Sequence, residues 1–334
     1  MCYDFNIEEY FESKAKNDDV VSKLFKSYNS IKELLSEKYY PWIRDQCPYY
    51  TNHGKLHVDS VIDSSSKLLQ LSIDKLSDVE VFLLLTSIVY HDVAMIKGRI
   101  DHHINASEII SRYIDLMPSR DFARIVNEII KAHSGKNGLA IPSGSCGISI
   151  KQRSQEVRPK LIASILRFAD EVSENRTRVE EVIIDEVPNE SQIFWRYAMS
   201  ISASIPKPIE KKISVTISID YETLAEEYVC KEFCNRVTNG QINIIKYIIC
   251  RLEKMNNERI YCSHIFSELV DIKEIEAELT VVKGIERVEG IEVINFSFRD
   301  VGLYEENKYP NVSFYDNFFS NHSHWPPIAS LNKQ

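Results

Sequence analysis

The sequence predicts a mainly α-helical protein that carries a smaller α+β unit, either inserted or appended. Apolar residues recur at helical spacing through most of residues 6–133 and again through 159–174. Only 10 glycines occur among 334 residues, and no glycine-rich phosphate-binding loop is present. After about residue 185, the pattern changes to the polar–apolar alternation that is typical of strands.

The helical part divides into segments with recognisable ends. Residues 6–40 have helical periodicity, and Pro41 stops that helix. His57 lies on the apolar side of the next helix, in TNHGKLHVDSVIDSSSKLL. Ser77 can cap a third helix, whose run FLLLTSIVY is apolar enough for a buried position. The other predicted segments are helices over 102–114, 119–133 and 159–174 and a loop over 137–150.

The remaining sequence mixes strand and helix patterns. The segments IFWRYAMSISASI and KKISVTISID predict strands. Helices are predicted near 221–236, 241–256 and 264–278, and further strands near 279–283 and 291–298. The predicted domains are a helical domain over 1–184 with its core at about 40–180, an α+β unit over 185–300, and a tail over 301–334 that is either a docking arm or partly disordered.

Composition favours a soluble cytoplasmic protein. Apolar residues make up 44% and charged residues 27%, no apolar run is long enough to span a membrane, and the first residues lack the pattern of a secretory signal. The seven scattered cysteines include no CxxC pair and predict reduced thiols. The net charge of -9 argues against broad binding to nucleic acid or to an anionic membrane. A basic stretch over 151–178 could still form a local groove, or an ordinary solvated helix face.

Histidines are concentrated in one part of the chain. Six of the nine lie between His53 and His133. The pair His91-Asp92 follows a strongly apolar run, where a carboxylate buried alone would be costly. A divalent cation would neutralise Asp92 and take an imidazole nitrogen of His91. Asp170 borders the apolar stripe of its own helix, so the pattern predicts a metal site.

The order His57, His91-Asp92 and Asp170 resembles the HD superfamily of metal-dependent phosphohydrolases. CPYYTNHGKLHVDSV resembles the opening motif of a bacterial HD subgroup with the pattern TxHGxxH, often found beside Hsp90-like ATPase or defence modules. YHDVAM, DHHINASEII, EIIKAHSG and LRFADEVSENRTRV resemble the motifs that follow in the family. The resemblance covers about 40–180, and the sequence after 185 is loosely similar to the α+β extension of that subgroup.

The resemblance implies an all-helical HD domain in which His57, His91, Asp92 and Asp170 bind one metal. Ser173 stands where the family commonly has aspartate, which removes a carboxylate near the site.

Family members with histidines at two intermediate positions bind two metals. Those positions correspond to His133 and to either His102 or His103, between which the sequence does not choose. Asp92 would then bridge the metals, and catalytic roles are predicted for Asp92 and His133.

The implied cofactor is one or two divalent transition metals. A mixed histidine and carboxylate donor set suits Mn²⁺, Fe²⁺, Co²⁺, Ni²⁺ or Zn²⁺ better than Mg²⁺, although Mg²⁺ remains possible. Nearby cations could hold phosphate, and His53 could reach the metal or the substrate. The predicted substrate-binding residues are His53, Arg99, Lys136, Arg167, Arg176 and Arg178.

The predicted function is hydrolysis, by metal-activated water, of a phosphate ester or phosphodiester in a nucleotide or a nucleic acid strand. One alternative is a nucleotide-binding sensor with little turnover that docks a protein partner through its C-terminal region. Another is a metal-dependent nuclease in a defence context, suggested by the basic stretch. No membrane partner is predicted. The aromatic residues that motivate docking are Phe314, Tyr315, Phe318, Phe319 and Trp325.

Overall fold

The computed structural model consists of two compact units. It describes residues 5–133, 146–150, 153–232, 240–299 and 314–323. The helical unit comprises Met1–Ser173 and Tyr261–Asp271, and the α+β unit comprises Glu174–Ile260 and Ile272–Gln334. The fold class predicted from the sequence, mainly α with a smaller α+β unit, is confirmed.

The helical unit is built from short and medium-length helices. Its helices are α1 (Ile7–Ala15), α2 (Asp19–Lys38), α3 (Tyr40–Gln46), α4 (Lys55–Leu69), α5 (Asp78–Tyr90), α6 (His102–Arg112), α7 (Arg120–His133) and α8 (Pro159–Val172). Two antiparallel strands, β1 (Cys146–Ile150) and β2 (Arg153–Val157), precede α8. Part of the predicted loop over 137–150 is therefore wrong, because residues 146–150 pair as a strand.

Helix α5 lies in the core and packs against α1, α2, α4, α7 and α8. All of its residues after Asp78 are buried, which explains its apolar sequence. The segment Asp78–Lys97 is long and apolar enough to cross a membrane, but 94% of its most apolar window is buried inside the protein. A buried core helix has the same composition as a membrane span.

Glu80 fixes the beginning of two helices. Its carboxylate accepts a hydrogen bond from the backbone of Ser77, and the Ser77 hydroxyl accepts one from the Glu80 backbone, which forms a capping box at the start of α5. The same carboxylate accepts hydrogen bonds from the backbone N, Nε and Nη2 of Arg158. Arg158 immediately precedes α8, so the starts of α5 and α8 are held together.

Amphipathic packing orients the last two helices of the unit. Helix α7 buries Phe122, Val126 and Ile129 on one face, and His133 ends the helix on that buried side. Helix α8 is buried along most of its length. The Phe168 ring in α8 packs 5.7 Å from the Phe266 ring, so the segment Tyr261–Asp271 completes the helical unit from far along the chain.

The α+β unit contains a mixed sheet. Its elements are α9 (Asn189–Ser200), β3 (Ile201–Lys207), β4 (Lys212–Asp220), β5 (Glu227–Val229), β6 (Gln241–Asn243), α10 (Ile244–Phe266, with its last residues in the helical unit), β7 (Glu274–Lys283), β8 (Glu286–Arg287), β9 (Ile294–Arg299) and α11 (Phe314–Asn321).

Strand β7 pairs with three other strands of this sheet. It pairs in parallel with β4 and antiparallel with both β8 and β9, while β3 pairs antiparallel with β4. Strands β5 and β6 form a separate antiparallel pair. Alternate residues of β4 and β7 are buried, as expected for a sheet with one face in the core.

Three secondary-structure predictions for this unit are wrong. In the predicted strand IFWRYAMSISASI, residues 193–200 belong to helix α9, where the buried Ile193, Trp195 and Tyr197 produce a strand-like alternation, whereas residues 201–205 belong to strand β3. Residues 221–229 form a short 3-10 helix followed by β5, and residues 233–239 lie outside the described structure. The helix predicted near 264–278 is wrong from residue 267 onward, because α10 ends at Phe266 and the alternation of Ile275 and Ala277 belongs to β7.

Candidate metal centre

Five helices of the helical unit bring histidine and aspartate side chains to one place. His57 lies in the first turn of α4, and His91 and Asp92 directly follow α5. The other three are the first residue of α6, the last residue of α7 and a residue near the end of α8, namely His102, His133 and Asp170. Because each residue sits at or near a helix end, their separation in sequence does not prevent their meeting in space.

The first group consists of His57, His91 and Asp170. The Nε2 atom of His57 lies 3.2 Å from Nε2 of His91 and 3.1 Å from Oδ1 of Asp170. Nε2 of His91 lies 3.8 Å from the same Asp170 oxygen. Both imidazoles are completely buried, whereas the Asp170 side chain is 30% exposed.

The second group consists of Asp92, His102 and His133. Oδ1 of Asp92 lies 3.1 Å from Nε2 of His102 and 3.9 Å from Nε2 of His133. His133 and Asp92 are buried, and the His102 side chain is 17% exposed.

Asp92 joins the two groups through its two carboxylate oxygens. While Oδ1 faces His102 and His133, Oδ2 lies 3.4 Å from Nε2 of His57 and 3.2 Å from Nε2 of His91. One carboxylate therefore has an oxygen directed to each group, which is the arrangement required of a bridging ligand.

Backbone carbonyls orient three of the four imidazoles. The Nδ1 atoms of His91, His102 and His133 lie within hydrogen-bond distance of the carbonyl oxygens of Ile88, Arg99 and Ile130. A carbonyl can only accept, so each Nδ1 donates its proton, and Nε2 is the ring nitrogen that faces the centre. His57 differs, since its Nδ1 lies 3.5 Å from the hydroxyl of Ser173.

The ionised carboxylates of the centre favour the binding of a cation. Burial alone would raise the pKa of Asp92, but His91 and hydrogen bonds from His102 and His57 hold it well below the usual range. Burial would lower the pKa of His91, but Asp92 and Asp170 raise it to about 9. Burial, with the nearby charge of His91, lowers the pKa of His133 to about 4. The carboxylates thus remain ionised and attract positive charge.

Comparison with known families agrees with this geometry. The HD-CE family model matches residues 47–243, which is more than half of the 334 residues. The chain belongs to the HD-CE family. All six residues of the two groups fall within the matched region. The resemblance to an HD-type domain is confirmed, whereas the genomic neighbourhood remains a prediction. Comparisons with curated proteins and with solved structures found no match.

The structure separates the two adjacent histidines of this HD-CE chain. His102 belongs to the second group, and His103 belongs to neither group. The buried ring of His103 lies 5.5 Å from the His102 ring and 6.4 Å from the His133 ring. His103 therefore lies beside the centre, while His102 faces Asp92.

His53 also lies next to the centre and outside both groups. Its ring is 5.5 Å from the His57 ring, and its Nδ1 contacts the carbonyl of Thr51. It is half-buried in the segment that leads into α4.

The predicted phosphate-binding cations have different surroundings. In the helical unit, the guanidinium of Arg99 lies over the Tyr50 ring and that of Arg167 over the Tyr261 ring. In the α+β unit, buried Arg178 pairs with Glu174, and exposed Arg176 is near the sulfur of Met199. Lys136 lies outside the described residues.

Sequence reasoning missed Ser173 as a positioning residue. Its hydroxyl donates to the carbonyl of Asp170 at 2.7 Å, which leaves the oxygen lone pairs directed to Nδ1 of His57. The available signal was a hydroxyl one helical turn after Asp170, and the sequence interpretation treated this position only as a lost carboxylate.

Proposed function

We propose that this HD-CE chain is a metal-dependent phosphohydrolase that cleaves a phosphate ester or phosphodiester in a nucleotide or a nucleic acid strand. The observation that carries the proposal is the position of Asp92, whose two oxygens face two separate histidine-containing groups.

The donor set fits a divalent cation. Four Nε2 atoms and the oxygens of two carboxylates converge, and the side chains are largely withdrawn from water. Without a cation, the Nε2 atoms of His57 and His91 must share a proton to lie 3.2 Å apart. A cation would satisfy both lone pairs and neutralise the buried carboxylates at once.

Each group is proposed to hold one cation. His57, His91 and Asp170 would hold the first, His102 and His133 the second, and Asp92 both. The mixture of imidazole and carboxylate favours Mn²⁺, Fe²⁺, Co²⁺, Ni²⁺ or Zn²⁺, with Mg²⁺ possible. Such a cation supplies Lewis acidity, lowers the pKa of water and polarises phosphoryl oxygens.

The residues of the chain provide orientation and access. Helix ends and backbone carbonyls fix the imidazoles, so little rearrangement is needed when a substrate binds. The partial exposure of Asp170 and His102 leaves a side of the centre open to solvent. Arg99 is proposed as a phosphate contact because it is exposed and belongs to the helical unit.

The test is hydrolysis of bis-p-nitrophenyl phosphate by the full chain with Mn²⁺. We expect turnover that Asp92→Ala abolishes, whereas Asp63→Ala, which changes an exposed aspartate of α4, leaves the rate unchanged. A fully metal-loaded protein that hydrolyses no member of a panel of phosphate monoesters, diesters and nucleotides would reject the function.

The two alternatives have weaker support. In the basic stretch that suggested a nuclease, Arg158 and Arg178 pair with glutamates and Arg167 is buried against Tyr261. For a sensor that docks through its C-terminal region, Phe318 is buried, with its ring 4.9 Å from Phe296. Intact labelled single-stranded DNA and RNA after incubation with Mn²⁺ would eliminate the nuclease.

A further inference from the structure

In the helical unit, exposed apolar side chains are concentrated in two stretches of the chain, 42–56 and 100–104, which lead into His57 and contain His102. Among the described residues of the helical unit, only Leu71 and Tyr261 lie outside this concentration. The remaining exposed large apolar residues, which we call the rim, are Trp42, Tyr49, Tyr50, Leu56, Ile100 and Ile104.

The rim comes from the two segments that lead into His57 and His102. On one side, Tyr50 precedes Thr51, whose carbonyl contacts the His53 ring beside His57. On the other side, Arg99 precedes Ile100, and the Arg99 carbonyl accepts a hydrogen bond from Nδ1 of His102 at 2.8 Å.

Tyr50 and Arg99 form a stacked pair between the two segments. The Arg99 guanidinium lies 5.0 Å from the centroid of the Tyr50 ring. Arg99 is exposed, and Tyr50 is 37% exposed. A planar cation on an aromatic ring, both open to solvent, offers a surface on which a further planar group can stack.

This pair has the chemistry expected for a nucleobase. A fatty chain would gain from apolar area alone and would not use a charged guanidinium. A nucleobase stacks on both tyrosine and arginine, and its attached phosphate is attracted to the same cation. The backbone carbonyl of Arg99 also accepts a hydrogen bond from His102. The stacked pair is therefore adjacent to the second group of residues.

We infer that Tyr50 and Arg99 form a base-stacking subsite, so that the phosphate ester held at the metal centre belongs to a nucleotide. The assignment of the phosphate to the centre rests on the proposed function. The base subsite adds selectivity for phosphates that carry a planar aromatic base over those that carry only a sugar or an alkyl chain.

The test compares ligands that have the same head group and cannot be hydrolysed. Calorimetry measures binding to the Mn²⁺-loaded full chain of the 5′-phosphonates of adenosine and ribose and of n-octyl phosphonate. We expect the adenosine compound to bind about tenfold more tightly than the ribose compound. Equal affinity, no binding, or tighter binding of the octyl compound would overturn the inference.

Variants of Tyr50 test whether this residue is responsible for the preference for the adenosine compound. Tyr50→Ala should remove the advantage of the base, and Tyr50→Phe should retain it. Tyr50→Leu keeps apolar bulk and should behave as Tyr50→Ala does. Tyr10→Ala is the matched control, since Tyr10 also stacks with a cation, Lys14, on α1. An adenosine preference that survives both Tyr50→Ala and Tyr50→Leu would contradict the assignment.

Failure of the base subsite and failure of the proposed function are distinguishable. Loss of the adenosine preference with intact bis-p-nitrophenyl phosphate hydrolysis rejects only the subsite. A clear adenosine preference that depends on Tyr50, without hydrolysis of any phosphate, rejects only the hydrolase.

Discussion

The Nε2 atoms of His57 and His91 lie 3.2 Å apart in the interior of the helical unit. His91 donates its Nδ1 proton to the carbonyl of Ile88, so Nε2 is the nitrogen that faces His57. Two buried nitrogen acceptors at this distance need a proton or a cation between them. The neighbouring oxygens of Asp92 and Asp170 favour a multivalent cation over a shared proton.

Substitutions of His102 and of His103 are expected to have different effects on the number of metal ions bound per chain. His102→Ala removes a donor 3.1 Å from Asp92 and should reduce the bound metal by about one equivalent per chain. His103→Asn changes a buried neighbour outside both groups and should leave the stoichiometry intact. Elemental analysis after desalting measures both variants. The opposite pattern would assign the ligand to His103.

Ser173 is expected to act on the metal through His57. Ser173→Ala removes the only side-chain group that faces Nδ1 of any of the four imidazoles of the two groups in the described structure. Metal affinity should fall by about 10-fold or more, the size of effect seen when a partner of a ligand histidine is lost.

Ser173→Thr keeps the hydroxyl and should restore the affinity. Competition with a fluorescent chelator gives the affinities of both variants. Equal affinities of Ser173→Ala and the unmodified protein would show that the 3.5 Å contact has no role in orienting His57.

Glu80→Gln is expected to destabilise the fold by about 2 kcal/mol, because it weakens charged hydrogen bonds to a buried acceptor. Urea denaturation followed by circular dichroism measures the change. Glu128→Gln is the matched control, since Glu128 forms an i,i+4 pair with Arg124 on α7, where the contribution should be below about 0.5 kcal/mol. Similar losses for both variants would contradict the capping role of Glu80.

The stabilisation from Glu80 should disappear in acid. Burial would raise the pKa of Glu80, but hydrogen bonds from Arg158 and Ser77 lower it below the ordinary 4.5. A group whose pKa is lowered by folding contributes stability above its unfolded pKa and loses it as pH falls through the folded pKa.

The difference in unfolding free energy between the unmodified protein and Glu80→Gln should therefore be constant near neutral pH and shrink below about pH 4.5. Urea titrations at several pH values measure it. A difference that grows in acid would reverse the assigned direction of the pKa shift.

The helical fold and five of the six residues now seen together, with His133 among them, were accessible from the sequence. His57, His91, Asp92 and Asp170 carry motif spacing, and their helices have strong apolar periodicity. The choice between His102 and His103 was not accessible. Adjacent helical residues point about 100° apart, and the helix begins after Asp101, whose left-handed backbone, with φ of 56°, has no signal in the sequence.

Contacts between distant segments explain the other differences between the sequence prediction and the structure. Arg167 stacks on Tyr261, and Phe168 packs on Phe266, because the chain returns to the helical unit after residue 260. Periodicity describes only local structure, so it cannot reveal such partners. It also failed for α9, where Trp195 and Tyr197 are both buried within one helix and resemble a strand.

Metal content of the full chain is the most direct test of the central claim. The chain is saturated with Mn²⁺, desalted and analysed by inductively coupled plasma mass spectrometry beside Asp92→Ala and the control Asp63→Ala. We expect about two Mn²⁺ per chain in the unmodified protein and in Asp63→Ala, and at most one, weakly held, in Asp92→Ala. A folded protein that retains no metal, or an Asp92→Ala variant that retains as much as the unmodified chain, would contradict a metal centre bridged by Asp92.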